Sequence, residues 1–361
     1  MYMTRESFRS SEVAKLFTDI EPVSFCAGPV KIEDTITEVM KLQPVSHRSS
    51  AFMNRMSNVQ QILTQMTQSK YVQVLLGSGT LANDVVAGQI ARLKGKGLIL
   101  VNGEFGHRLV DHAERMGLSF HCIKEPYGHP FRIDVIKAEL QATPYTWIWL
   151  VHCETSTGML NDIYVLKKLC MRYELKLCLD CVSSLGAVPF ELSDVYMASG
   201  VSGKAIGAYT GLAFVFHQEE ITPDRRLPRY LDLGLYASKQ SVPFSHSSNL
   251  LEALYQALLK YVSDEPYEQL VEIHQLLSRE LERIGLKTLT EKEHAAPVIV
   301  TVPIHKPLSS QRIGDNLARE GFYIQYESEY LLAHNFLQIA TIGIQRSHVM
   351  KLAQSLETLI N

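Results

Sequence analysis

Between about residues 70 and 215, short apolar runs alternate with stretches in which apolar side chains recur every three to four positions. The runs at 71–76, 98–102, 119–123, 147–152, 176–180 and 212–216 are rich in Val, Ile, Leu, Phe and Trp and predict strands. Between them, 80–93, 108–116, 133–140 and 163–173 have the spacing of helices with one buried face, as at Leu81, Val85, Val86 and Ile90. Strands alternating with helices predict an α/β unit around a largely parallel sheet. After Gln218 the segment ITPDRRLPRYLDLGLYASKQSVPFSHSS is irregular, polar and Pro-bearing, and reads as a long connection or lid. Helices are expected at 250–262, 267–284 and 348–360, and strands at 298–302, 323–326 and 336–342. The chain is therefore divided into a large unit at 1–249 and a smaller α+β domain at 250–361, without internal repeat or low-complexity segment.

Composition narrows the function. With 361 residues, 46% of them apolar and 20% charged, the chain can enclose a deep, dry site. Lys+Arg of 35 against Asp+Glu of 38 gives a net charge of -3 with no basic tract, which argues against nucleic acid as a partner. Apolar runs such as Trp147-Ile148-Trp149-Leu150-Val151 fall far short of the ~20 residues that cross a bilayer. Residues 1–15, MYMTRESFRSSEVAK, lack the apolar core of a signal peptide, so no export signal and a cytoplasmic location are expected. Cys26, Cys122, Cys153, Cys170, Cys178 and Cys181 lie in apolar surroundings, as reduced buried thiols do. The Cys178-x-x-Cys181 pair lacks the second pair that a zinc site needs, and no metal is expected.

Three segments could carry chemistry. Gly77-Ser78-Gly79-Thr80-Leu81-Ala82 joins a strand to a helix, where free N–H groups and the helix dipole favour a phosphate. It also fits a dinucleotide-binding G-x-G-x-x-A turn with Glu104 as ribose-binding acid, or a turn without a ligand. Asp180 ends an apolar strand at the expected ligand-binding edge of the sheet, where a carboxylate needs a cation or donor, or it is a solvated or capping residue. Lys204 stands among small residues in Ser199-Gly200-Val201-Ser202-Gly203-Lys204-Ala205-Ile206-Gly207, just before a buried strand. A desolvated lysine loses basicity and becomes an amine able to form a Schiff base.

In this order, together with Gly103-Glu104-Phe105-Gly106-His107-Arg108 and His152-Cys153-Glu154-Thr155-Ser156-Thr157-Gly158-Met159-Leu160-Asn161, these segments resemble the class V, fold type I pyridoxal-phosphate aminotransferases. Gly28-Pro29 and His47-Arg48-Ser49-x-x-Phe52 add to a likeness that runs from about residue 25 to near the C-terminus. Within that family the motifs are similar to those of 2-aminoethylphosphonate transaminase and alanine-glyoxylate (serine-pyruvate) aminotransferase. The resemblance implies pyridoxal 5'-phosphate as cofactor, an internal aldimine on Lys204 and Asp180 paired with the pyridine nitrogen. It implies Phe105 stacked on the ring, Ser78, Gly79 and Thr80 on the phosphate, and Thr155 and Ser202 beside the cofactor. Ser245 and Ser247 correspond to a stretch that reaches the neighbouring subunit's phosphate, so a homodimer with interface sites is implied. The reaction implied moves an amino group between a small amine or amino acid and an oxo acid or aldehyde.

Two positions depart from the family pattern. Where relatives have Arg-Ile-Gly-x-x-Gly, this chain has Gln338-Ile339-Ala340-Thr341-Ile342-Gly343, and glutamine cannot reproduce an arginine's charged fork on a substrate anion. Such a loss costs ~1.5–3 kcal/mol. Either Arg48 or Arg346 replaces it, or the substrate lacks that anion. Gly203 stands before the lysine where relatives often have Gln or Asn. His47 and His107 read as structural or interface residues, and Trp147 and Trp149 as core. His152 and Glu154 read either as pocket residues or as a strand-end pair, and Asp224-Arg225-Arg226 with Arg229 as solvated surface. The competing functions are a lyase or desulfurase of the same fold, an NAD-binding oxidoreductase and a catalytically silent paralogue. A desulfurase needs a mobile cysteine, and 219–249 contains none.

Overall fold

A computed structural model describes residues 22–360; the N-terminal stretch read above for an export signal lies outside them. Seven strands form the main sheet: β1 (Tyr71–Leu76), β2 (Gly97–Val101), β3 (Phe120–Lys124), β4 (Trp147–Val151), β5 (Lys176–Asp180), β6 (Met197–Val201) and β7 (Leu212–His217). Their order across the sheet is β1-β7-β6-β5-β4-β2-β3. Only β7 runs against its neighbours β1 and β6; every other pairing is parallel. The six codirectional strands therefore open their carboxyl ends on one edge, where α/β sheets bind ligands.

Helices cover both faces, and the strand period of two deals residues to two cores. Leu98, Leu100, Ile148, Leu150, Leu177, Leu179, Phe214 and Phe216 face one core. Ile99, Val101, Trp147, Trp149, Val151, Cys178, Ala213 and Val215 face the other, so the two tryptophans are interior as expected. Helix Ser50–Thr67, whose apolar stripe Phe52, Met56, Val59 and Leu63 is buried, closes the first core; its N-terminus is capped by Ser49 Oγ, which accepts from the Phe52 amide.

Three expectations change. Strand β6 was not foreseen, because Met-Ala-Ser-Gly-Val lacks the β-branched signal; its centre is built from small residues because both faces are packed against. The segment after Gln218 is a packed connection rather than a lid. Helix Leu233–Ala237 turns Leu233 and Tyr236 into the second core, and the buried Ser241 Oγ donates to Gln73 and accepts from the Val74 amide at 2.9 Å. The strand expected at 323–326 is only Phe322–Tyr323, paired in parallel with Val23–Ser24.

A third apolar cluster is built from helices Glu265–Arg283, Ser310–Arg319 and Arg346–Ile360 over strands Ile299–Pro303 and Phe336–Ala340. Phe25 joins it from the start of the described chain. The boundary expected after residue 249 falls inside helix Ser248–Leu258, whose Leu251, Leu254 and Leu258 belong to the first core. A small fourth cluster, including Ala27, Cys153, Ala205, Val298 and Ala340, joins the carboxyl edge of the sheet to the C-terminal strands.

Candidate active site

Every strand of that edge except β3 contributes a neighbouring segment. Ser78 to Thr80 follow β1, Phe105 follows β2, Thr155 follows β4, Asp180 ends β5 and Lys204 follows β6. Asp180 is 5% exposed, and its carboxylate has two fixed donors: the Asn83 amide at 2.8 Å on Oδ2 and the Val182 N–H at 2.8 Å on Oδ1. Asn83 lies on the buried side of helix Gly79–Ile90, a polar residue among Ala82, Val85 and Val86. That misplaced amide is the signal by which the sequence could have revealed it.

Lys204 is partly buried, and its Nζ donates to Ser183 Oγ at 2.8 Å. Burial lowers its pKa from 10.5, opposed by the nearby charges of Asp180, Cys153 and Glu154. Its amine thus feels the Asp180 carboxylate while its hydrogen bond goes to Ser183. The Nζ also stands 5.4 Å from the Phe105 ring centroid. The amine therefore stands near the Phe105 ring and within the electrostatic reach of Asp180.

Helix Glu104–Arg115 sets the ring. Its N-terminus is capped from outside by Glu154, a buried residue of the strand Cys153–Glu154. The carboxylate accepts from the Phe105 amide at 3.3 Å, the Gly106 amide at 2.9 Å and the Ser156 hydroxyl at 2.5 Å, while Ser156 Oγ takes the Glu104 amide at 2.9 Å. Gly103 has no side chain because a Cβ there would run into this carboxylate. Glu154 is thus a helix cap, a role that neither reading of it as a pocket residue or a strand-end partner of His152 contained. His152 is buried with its ring edge-on to Phe190, centroids 4.9 Å apart, and desolvation lowers its pKa to about 3.

Ser78 and Thr80 are exposed at the open N-terminus of helix Gly79–Ile90, where Ser78 makes no side-chain cap bond. A turn with free N–H groups and unengaged hydroxyls fits a phosphate, a carboxylate with fixed donors fits a pyridinium, and an amine without an ionic partner fits an aldehyde carbon. β1 is also an edge strand beside antiparallel β7, unlike the crevice between parallel strands that holds a dinucleotide.

Other expected residues are committed elsewhere. Ser202 Oγ is buried and donates to the Tyr209 carbonyl at 2.6 Å, tying the ends of the 202–212 loop. Ser247 caps helix Ser248–Leu258 through the Leu250 amide at 3.2 Å, while Ser245 is exposed. Gln338 is 1% exposed; its Nε2 donates to the Thr155 carbonyl at 2.5 Å and to Thr301 Oγ1 at 3.0 Å, and its Oε1 accepts from the Tyr330 hydroxyl at 2.7 Å. Its amide holds three segments together and has no group left for a substrate. Arg346 pairs with Glu272 at 2.8 Å, and Arg48 is exposed ahead of helix Ser50–Thr67. Gly203 is required by packing, since a Cβ would lie 2.9 Å from the Thr210 backbone.

No protein-family model matches the chain. A 2-aminoethylphosphonate–pyruvate transaminase of Bacillus cereus is 29% identical over 279 residues, 73% of this chain and 81% of its own. A second, from Bacillus cereus strain AH187, is 26% identical over 351 residues, covering 91% of this chain and 95% of its own. An alanine-glyoxylate aminotransferase from Nostoc sp. superposes over 100% of both chains with a TM-score of 0.88 at 24% identity. The chain is therefore similar in sequence to these transaminases and has the fold of an aminotransferase.

Proposed function

We propose that Lys204, Asp180 and Phe105 are the catalytic and ring-binding residues of this aminotransferase, with Ser78, Gly79 and Thr80 holding the cofactor phosphate. The observation that carries this reading is that the Lys204 amine faces the Phe105 ring within the electrostatic reach of a buried Asp180, at the carboxyl edge of the sheet. Bound there, pyridoxal phosphate supplies an aldehyde for the amine and a protonated ring that accepts electrons. Asp180, fixed by Asn83 and Val182, would hold the ring nitrogen and favour its protonated form. Lys204 Nζ would hold the cofactor at its aldehyde group and would be the base placed to move a proton at the α-carbon of the substrate. Burial, by lowering its pKa, favours the neutral amine that both tasks need. Ser183 orients the nitrogen.

We also infer a homodimer. Met40, Leu42 and Val45 are exposed on a segment packed beside the start of helix Ser248–Leu258, next to exposed Ser245. A second copy covering this strip would bring Ser245 and Arg48 toward its own substrate site. A cytoplasmic location is supported by six free cysteines and by the lack, among the described residues, of any helix long and apolar enough to cross a membrane.

The test is borohydride reduction of the protein loaded with pyridoxal phosphate, followed by peptide mass mapping. The cofactor mass should sit on Lys204, with visible absorbance lost in Lys204→Ala. A label elsewhere, or none, rejects the assignment. A donor screen with alanine, serine, aspartate, 2-aminoethylphosphonate and taurine then identifies the amine, and light scattering of the loaded protein should give twice the 40.7 kDa chain mass.

A further inference from the structure

With glutamine at 338, another guanidinium near the candidate site is that of Arg108. Arg108 lies one turn after Phe105 on the helix whose N-terminus Glu154 caps, and its Cζ stands 4.7 Å from the Phe105 centroid. The Lys204 amine stands 5.4 Å from the same centroid, so one ring has both the reacting nitrogen and a guanidinium beside it. Among the described residues the one carboxylate paired with Arg108 is Glu104, at 3.5 Å from Nε, a long contact in which the Arg108 side chain is 54% exposed. Glu104 has a second partner in the Tyr127 hydroxyl.

Two further groups sense this arginine. Lys204, whose basicity is lowered first by burial, is lowered further by Arg108. Tyr330, raised mainly by burial, is partly relieved by Arg108, and its hydroxyl donates to Gln338. Arg108 thus lies against Phe105 with Lys204 and Tyr330 within its electrostatic reach. The alternatives are occupied or remote: Arg346 is on Glu272, and Gln338 has spent its amide on Thr155, Thr301 and Tyr330.

Resting on the function proposed above, we propose that Arg108 binds the anionic end of the amino donor, a carboxylate or a phosphonate, and is the specificity-determining cation of this site. A planar fork on Phe105 can give two parallel hydrogen bonds to either anion while the donor's amine reaches Lys204. Glu104 yields the guanidinium to the substrate and stays with Tyr127.

The test is calorimetric titration with amine-free probes, so that it does not depend on turnover. Propionate, ethylphosphonate and the neutral propionamide are titrated into wild type, Arg108→Gln and Arg108→Lys, each with and without pyridoxal phosphate. Arg108→Gln should weaken anion binding about tenfold to a hundredfold, with propionamide affinity, melting temperature and cofactor content unchanged. Arg108→Lys should recover part of the loss, and the ratio of the two anion affinities names the donor class. Equal anion affinity in wild type and Arg108→Gln overturns the inference, as does an equal loss for propionamide. Failure of wild type to fix the cofactor on Lys204 would reject the functional reading instead, while the titrations without cofactor still decide Arg108.

Discussion

Single residues at this site are constrained as much by packing as by chemistry. At Gly203, the Thr210 backbone leaves no room for a side chain. Gly203→Ala is expected to lower stability by about 1–3 kcal/mol, the usual cost of overpacking, seen as a lowered melting temperature; an unchanged melt would show that the 202–212 loop yields freely. At Gln338 the same logic replaces a catalytic explanation. Gln338→Ala strands the Tyr330 hydroxyl and the Thr155 carbonyl, and should destabilise by about 1–3 kcal/mol while leaving propionate affinity within twofold. A large loss of anion affinity with a normal melt would return Gln338 to the substrate. Lys204 adds a pH dependence. Its folded pKa is below the unfolded value of 10.5, so between the two the unfolded chain holds the extra proton and stability rises with pH. In cofactor-free protein, Lys204→Met should therefore be more stable than wild type below that window, with the advantage vanishing as pH passes 10.5. An advantage independent of pH would mean that packing, not charge, sets it.

Among elements, helix Glu104–Arg115 matters most, because the position of both Phe105 and Arg108 depends on how it starts. Glu154 caps it from a different strand with four donors around one carboxylate. Glu154→Ala should cost about 1–3 kcal/mol and also weaken pyridoxal phosphate binding, measured by equilibrium dialysis. Cofactor affinity that stays at the wild-type level would separate the cap from the ring. This cap shows where sequence reading stops. Asp180 and Phe105 could be singled out because each follows a strand whose apolar run is plain in the sequence, and Lys204 because it stands alone among small residues ahead of the run at 212–216. Glu154, fifty residues from the helix it caps, was open between two readings, since only the β2–β4 pairing brings it there. β6 was missed because a strand packed on both faces by bulky neighbours is made of small residues. The segment after Gln218, read as a connection or a lid, is a connection whose burial was not legible, because irregular, Pro-bearing sequence marks absence of period, not absence of burial: Leu233 and Tyr236 are 0% and 2% exposed.

Across the whole molecule, the first core of the sheet unit and the C-terminal unit hold histidines that folding has made hard to protonate. His152 beyond β4 has its pKa lowered to about 3, and His246, edge-on to Phe52, and His274 in helix Glu265–Arg283 each to about 4, with burial the first cause in all three. The unfolded chain takes up these protons near the ordinary value of 6.5, and the folded protein does so only below 4. Protons therefore favour the unfolded state throughout that interval, and stability is fully present above 6.5 and falls as pH drops toward 4. Because the three sites lie in both the sheet unit and the C-terminal unit, acid should weaken the two together rather than release one first. Urea midpoints measured at steps from pH 7 to pH 4 are expected to fall steeply, with fluorescence and circular dichroism transitions staying coincident. His274→Leu, which removes one titrating group from a partly covered helix position, should make the slope shallower. If the variant and wild type lose stability in parallel, the acid sensitivity comes from other groups and the buried imidazoles are not its source.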